Sequence, residues 1–139
     1  MSHSYRDLVA WQKAKRLAVR VYERTEGFPK CEIHGLTAQI RLAAISVASN
    51  IAEGQGRLTP REFAQFLGHS RGSLLELETQ LEIAFDLKFI GEKDYESLMQ
   101  ESYQVLGLLN RLIESLQNTK RPPLRVNDAE ASKRETLKL

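Results

Sequence analysis

The chain has 139 residues, 42% of them hydrophobic and 27% charged, with a formal net charge of +2. That length holds one domain with a real core, and the balance is that of an ordinary folded protein, neither a disordered nor a wholly basic one. No apolar run reaches membrane-spanning length, and the lone cysteine, Cys31, excludes a disulfide framework. The N-terminus has no cationic start followed by an apolar block, so the expected location is the reducing cytoplasm.

The net charge is unevenly spread. Residues 1–117 carry 14 Lys/Arg and 15 Asp/Glu, a net −1, whereas residues 118–139 carry 6 and 3, a net +3. Any basic surface on the folded part must therefore come from local clustering.

The first helix is expected over about 6–25, with Leu8, Trp11, Ala14, Leu17, Val21 and Tyr22 as its apolar stripe. Ser4 is the expected N-cap, with Asp7 three residues on, where a capping box places an acid. Lys13, Arg16, Arg20 and Arg24 follow at steps of three, four and four and so line one face. Residues 26–34 then form a loop, broken by Pro29 and anchored by Phe28.

The second helix, about 35–53, is the one around which the others are expected to pack. Its core face is Ile40, Ala43, Ala44, Val47 and Ile51, and small residues crowd its flanks, which lets neighbouring helices come close on more than one side. It also carries Gln39, Arg41, Ser46, Asn50 and Glu53, polar groups that need partners where they are buried. Gly54 is expected to end it.

Thr59-Pro60-Arg61-Glu62 is the clearest punctuation: an N-cap, a proline in the first helical position and an acid three residues after the cap. The third helix, about 60–88, has the stripe Phe63, Phe66, Leu67, Ser70, Leu74, Leu77, Leu81, Ala84 and Phe85. Gly68 and Gly72 interrupt it at up to ~1 kcal/mol each, a cost that close packing against the second helix would explain. Its far half is acidic, with Glu76, Glu78, Glu82 and Asp86. Gly91 is the expected stop before a fourth helix over about 92–117, whose stripe runs from Tyr95 to Leu116. Pro122 and Pro123 break any continuation, and residues 118–139 read as a basic, largely disordered tail.

Few residues offer chemistry. There is no phosphate-binding loop and no dinucleotide fingerprint. Cys31 and His34 are two ligands without a third, and His69 lacks the acid three residues earlier that a di-metal bundle uses. The acidic stretch of the third helix reads as a solvated face. No enzyme activity, metal or cofactor is expected. The basic stripe Lys13, Arg16, Arg20, Arg24 is either a phosphate-contacting surface or a solvated face. Asn50, Glu53, Ser70, Arg71, Ser73 and Glu76 are expected to form a polar network that fixes helix register.

The motifs Trp11-Gln12-Lys13-Ala14, Phe28-Pro29, Gly35-Leu36-x-x-Gln39-Ile40-Arg41 and Ser46 through Gly54 stand in this order. Phe63-x-x-Phe66-Leu67 and Arg71-Gly72-Ser73-x-x-Glu76-Leu77-x-x-x-Leu81 follow them. Together they resemble the four-helix-bundle proteins encoded in intervening sequences of bacterial 23S ribosomal RNA genes. The resemblance covers about residues 5–117. It implies a barrel-shaped homopentamer and kinship with the accessory variability proteins of diversity-generating retroelements, which bind nucleic acid and partner a reverse transcriptase. The basic surfaces of those relatives would map onto Lys13, Arg16, Arg20 and Arg24, with Arg41 a further candidate.

The sequence therefore predicts an all-α, antiparallel up-down-up-down four-helix bundle over residues 1–117. The expected function is a non-enzymatic homo-oligomer that binds RNA or DNA phosphates through its first helix. The alternative is an assembly or adaptor module whose partner is a protein, such as a reverse transcriptase.

Overall fold

The computed structural model of the chain describes residues 4–118, and the expected tail beyond them lies outside the described residues. Four helices form: α1 (Val9–Thr25), α2 (Leu36–Gln55), α3 (Pro60–Asp86) and α4 (Glu92–Asn118). Single 3-10 turns at Tyr5–Asp7 and Lys30–Glu32 precede α1 and α2, and there is no strand among the described residues.

The helices make a four-helix bundle. α1 packs on α2 and α4, and α3 packs on the same two, with no α1–α3 or α2–α4 pairing among the described residues. Each helix thus turns one stripe inward and covers two neighbours. Leu17 and Val21, Ile40 and Val47, Leu74 and Leu81, and Leu98 and Leu109 are all fully buried, at about 1.5–3 kcal/mol for each such side chain taken from water.

Polar contacts set the register. The Ser70 hydroxyl, itself fully buried, donates to the Val47 carbonyl at 2.7 Å, and Ser73 meets Ser46 at 3.0 Å. Ser102 donates to Glu78 at 2.6 Å, and Arg71 donates to Asn110 at 3.0 Å. At one end of the bundle Phe28 from the first loop and Phe89 from the third approach with ring centroids 5.7 Å apart.

Four expectations are corrected. The first helix begins at Val9, because Leu8 is extended (φ −74°, ψ 123°), and Ser4 caps the Tyr5–Asp7 turn by accepting from the Arg6 N–H. Gly54 does not end α2, which runs one residue further to Gln55. Gly54 is where α2 touches α3: a Cβ there would stand 2.7 Å from the Phe66 Cβ and 3.1 Å from the Phe63 ring. Gly68 and Gly72, by contrast, pack against nothing, since a Cβ at either meets no atom within 4 Å.

The fourth correction concerns the end of α3. Gly91 is not the stop. Lys88 takes the left-handed conformation (φ 64°), its N–H donates to the Phe85 carbonyl at 2.9 Å, and the Phe89 N–H reaches the Ala84 carbonyl at 2.9 Å. Those two bonds are the Schellman ending of a helix, usually built on glycine. Gly91 instead accepts from the Tyr95 N–H at the start of α4. Thr59 and Pro60 behave as read, with the Glu62 N–H donating to the Thr59 hydroxyl at 3.1 Å.

Candidate functional site

The four cations of the α1 stripe do not share one environment. Arg20 reaches α4, where Nη1 stands 2.9 Å from the Glu101 carboxylate and Nη2 donates to the Ser97 hydroxyl at 3.1 Å. Arg24 pairs with Asp94 at 3.4 Å on the same helix. Lys13 and Arg16 are exposed, and no carboxylate among the described residues pairs with either. Half the stripe therefore ties α1 to α4, and the other half is exposed without an ion pair among the described residues.

Arg41 is held from three sides. Its guanidinium stacks 4.6 Å from the Tyr22 ring centroid, Nε donates to the Thr25 hydroxyl at 2.9 Å, and Nη2 donates to the Tyr22 carbonyl at 3.4 Å. The Thr25 hydroxyl in turn donates to the Val21 carbonyl. This locks the C-terminal turn of α1 onto α2 and places Arg41 away from Lys13 and Arg16.

The six residues expected to form one polar network split into smaller sets. Asn50 donates to the Ser46 carbonyl at 2.9 Å and to its hydroxyl at 3.0 Å, and Ser46 meets Ser73, so these three do join α2 to α3. Ser70 joins the same helices through Val47. Arg71 turns to α4, Glu53 stands 3.7 Å from Arg57, and Glu76 accepts from Gln80 at 3.3 Å.

Cys31 and His34 are both exposed, and no group of three or more metal-ligating side chains occurs among the described residues. The outer acidic side of α3 acts on α4. The phenol of Tyr95, stacked on Phe85 with centroids 4.5 Å apart, is held above its ordinary value of 10.0 by loss of water and then by the charges of Glu82, Tyr103, Asp86 and Glu78.

Sequence reasoning missed a concavity on the α1/α2 face. A groove of about 640 Å³ runs between α1 and α2, walled by Trp11, Val19, Tyr22 and Ile45 and floored by Ala18, Ala48 and Ala52. Lys15 stands on its rim, with the ammonium 5.4 Å from the Trp11 ring centroid, and Glu23 and Glu26 close its far end. Tyr22 belongs to the expected core stripe yet is exposed, whereas Trp11 is half-buried and packs against the core while also walling the groove. The available signal was Val19 and Ile45, apolar residues off the core faces of their helices.

The sequence profile of the 23S rRNA-intervening sequence protein family matches residues 6–111. The chain belongs to that family. Its fold resembles the 1.70 Å crystal structure of a protein of unknown function from the S23 ribosomal protein family of Bacteroides thetaiotaomicron. The two share 23% sequence identity at a TM-score of 0.71, over 76% of this chain and 96% of that one. No curated protein matches the chain. The match to the 23S rRNA-intervening sequence protein family takes in α1, α2 and α3 whole, with most of α4. The exposed pair Lys13 and Arg16 lie within it, as does all of the groove's lining except Tyr5. No helix among the described residues is long and apolar enough to cross a membrane.

Proposed function

We propose that the chain is a non-enzymatic, cytoplasmic, homo-oligomeric bundle that binds RNA or DNA phosphates through Lys13 and Arg16. The carrying observation is that these two cations are exposed and unpaired while Arg20 and Arg24 are committed to α4. Two phosphate contacts bind weakly. A barrel-shaped pentamer, the assembly implied by the family resemblance, would set about ten such cations on one particle and make the field strong.

The bundle reads as up-down-up-down. Arg20 to Glu101 and Arg24 to Asp94 pair ascending residues of α1 with descending residues of α4. Gly54 beside Phe66 and Ser46 beside Ser73 do the same for α2 and α3.

The test is a titration of structured RNA and of duplex DNA at several salt concentrations, for the natural chain and for a Lys13→Gln/Arg16→Gln variant. The expected result is binding with a negative salt slope, reduced by about 0.9 for each lost phosphate contact on B-form DNA. Absence of binding at low salt, or an unchanged slope in the variant, overturns the phosphate reading.

A second reading rests on the groove. An apolar channel between two helices receives a helix from a partner, which favours an assembly or adaptor role, including that of a reverse-transcriptase accessory protein. Capture of the partner by the natural chain and not by a Val19→Glu/Ile45→Glu variant would distinguish it.

A further inference from the structure

We infer that a second pocket, between the C-terminus of α1, the loop after it and the start of α2, binds a small monocarboxylate with an apolar body. This goes beyond the phosphate reading and uses none of its residues. The pocket holds about 310 Å³, at the lower end of the range for small-molecule sites. Phe28, Pro29 and Ile33 give it an apolar wall, and Thr37 and Arg41 line it from α2. The exposed side chains of Glu26 and Lys30 complete the lining.

One polar group of the lining is unpaired. Thr37 is 2% exposed, and its hydroxyl has no hydrogen-bond partner. Buried hydroxyls ordinarily have one, so this one points to a partner from outside the chain. Thr37 and Arg41 are four residues apart on α2 and share a face of it.

Arg41 is set in place before any ligand arrives. The Tyr22 ring holds one face of its guanidinium, the Thr25 hydroxyl holds Nε and the Tyr22 carbonyl holds Nη2. Nη1 takes part in none of these contacts. A fixed guanidinium with free donors, one turn from a free hydroxyl, is a receptor for a carboxylate. Because the arginine is already ordered, little side-chain freedom is lost on binding.

Charge selects the class of ligand. Arg41 and Lys30 against Glu26 leave the lining with one net positive charge, and neither Lys30 nor Glu26 is ion-paired among the described residues. One carboxylate neutralises that charge. A phosphomonoester, at about two negative charges near neutral pH, would leave an excess beside Glu26. The other acid of the loop, Glu32, is occupied, since its carboxylate accepts from the Leu36 N–H at 2.9 Å.

The experiment titrates phenylacetate into the full chain and follows it by protein NMR, with phenylacetamide and phenyl phosphate as comparisons. Phenylacetate should shift the Thr37 amide and the Arg41 side-chain resonances saturably. The uncharged amide should bind at least about tenfold more weakly. Thr37→Val keeps the shape and removes the hydroxyl, and Arg41→Lys keeps the charge and removes the fork; each should weaken phenylacetate about tenfold. Thr37→Val should match or exceed the natural chain in Tm, because its hydroxyl has no partner within the chain, so this arm decides the matter even if Arg41→Lys unfolds. No saturable shift, equal binding of the amide, or undiminished affinity in Thr37→Val overturns the site. Phenyl phosphate bound as tightly as phenylacetate overturns the monocarboxylate class. The Lys13→Gln/Arg16→Gln variant should bind phenylacetate as the natural chain does, so this result stands apart from the nucleic-acid titration.

Discussion

Glycine to alanine at three helical positions should change stability in two opposite directions. At Gly54 an added methyl carbon falls 2.7 Å from the Phe66 Cβ, 3.1 Å from a Phe63 ring carbon and 3.3 Å from the Phe63 carbonyl oxygen. The Phe66 Cβ is fixed to its backbone and cannot swing aside, so α2 and α3 must separate locally. Overpacking of this kind costs about 1–3 kcal/mol. The helical preference of alanine returns at most ~1 kcal/mol, and less here because Gly54 lies one residue from the end of α2. The net is a loss of about 1–2 kcal/mol, or roughly 4 °C in Tm per kcal/mol lost. At Gly68 and Gly72 the same methyl meets nothing within 4 Å, so only the preference operates and each variant should gain up to ~1 kcal/mol. Urea unfolding followed by circular dichroism, at one fixed protein concentration, measures all three. A Gly54→Ala chain as stable as the natural one would refute the close approach of α2 and α3. Losses at Gly68 and Gly72 would refute their placement in open space.

Three further outcomes follow from contacts between elements. Lys88→Gly should raise stability by about 1 kcal/mol in the same urea assay, since it relieves a left-handed residue that bears a Cβ; a loss would mean that the Lys88 side chain contributes more than its conformation costs. A double-mutant cycle on Arg20 and Glu101, both about one-quarter exposed, should give a coupling of about 1 kcal/mol, and a coupling indistinguishable from zero would remove the pair as an α1–α4 tie. Tyr95 holds its proton more tightly folded than unfolded. Above the ordinary phenol value the unfolded chain therefore binds fewer protons, and stability falls as pH rises from that value through the raised one. Tyr95→Phe should flatten that alkaline decline, with phenolate absorbance reporting the titration; an unchanged decline would assign it to another group.

What the sequence disclosed was mostly local chemistry. Thr59-Pro60-Arg61-Glu62 marks the start of α3 because a cap and a proline act within one turn, and the bundle itself follows from stripes at helical spacing. Glycines divided the reading. Gly54, Gly68, Gly72 and Gly91 carry the same side chain, yet one is a contact, two face open space and one precedes a helix. Only the neighbouring helix distinguishes these uses. Lys88 held the position for which glycine was expected, since the two bonds that form the ending are between backbone atoms. The α1 cations were legible as a stripe, whereas the division among them depends on Asp94 and Glu101, some seventy to eighty residues away in sequence. Tyr22 fell on the predicted stripe because that stripe is one position too wide on the side facing α2, whereas Trp11 does pack against the core.

The two surfaces of α1 that remain open share only Arg16. Lys13 stands two turns before Arg20, so it shares the side of the helix that faces α4. Trp11, Val19 and Tyr22 stand on the side that faces α2. Covering the groove would leave Lys13 in water, while Arg16, which borders the groove alongside Val19, would sit at the margin of the contact. A homo-oligomer that leaves the Lys13 side open would repeat Lys13 around the particle instead of burying it. That geometry lets weak phosphate contacts add up only in the assembled form, so a chain unable to assemble should lose nucleic acid even with every cation in place.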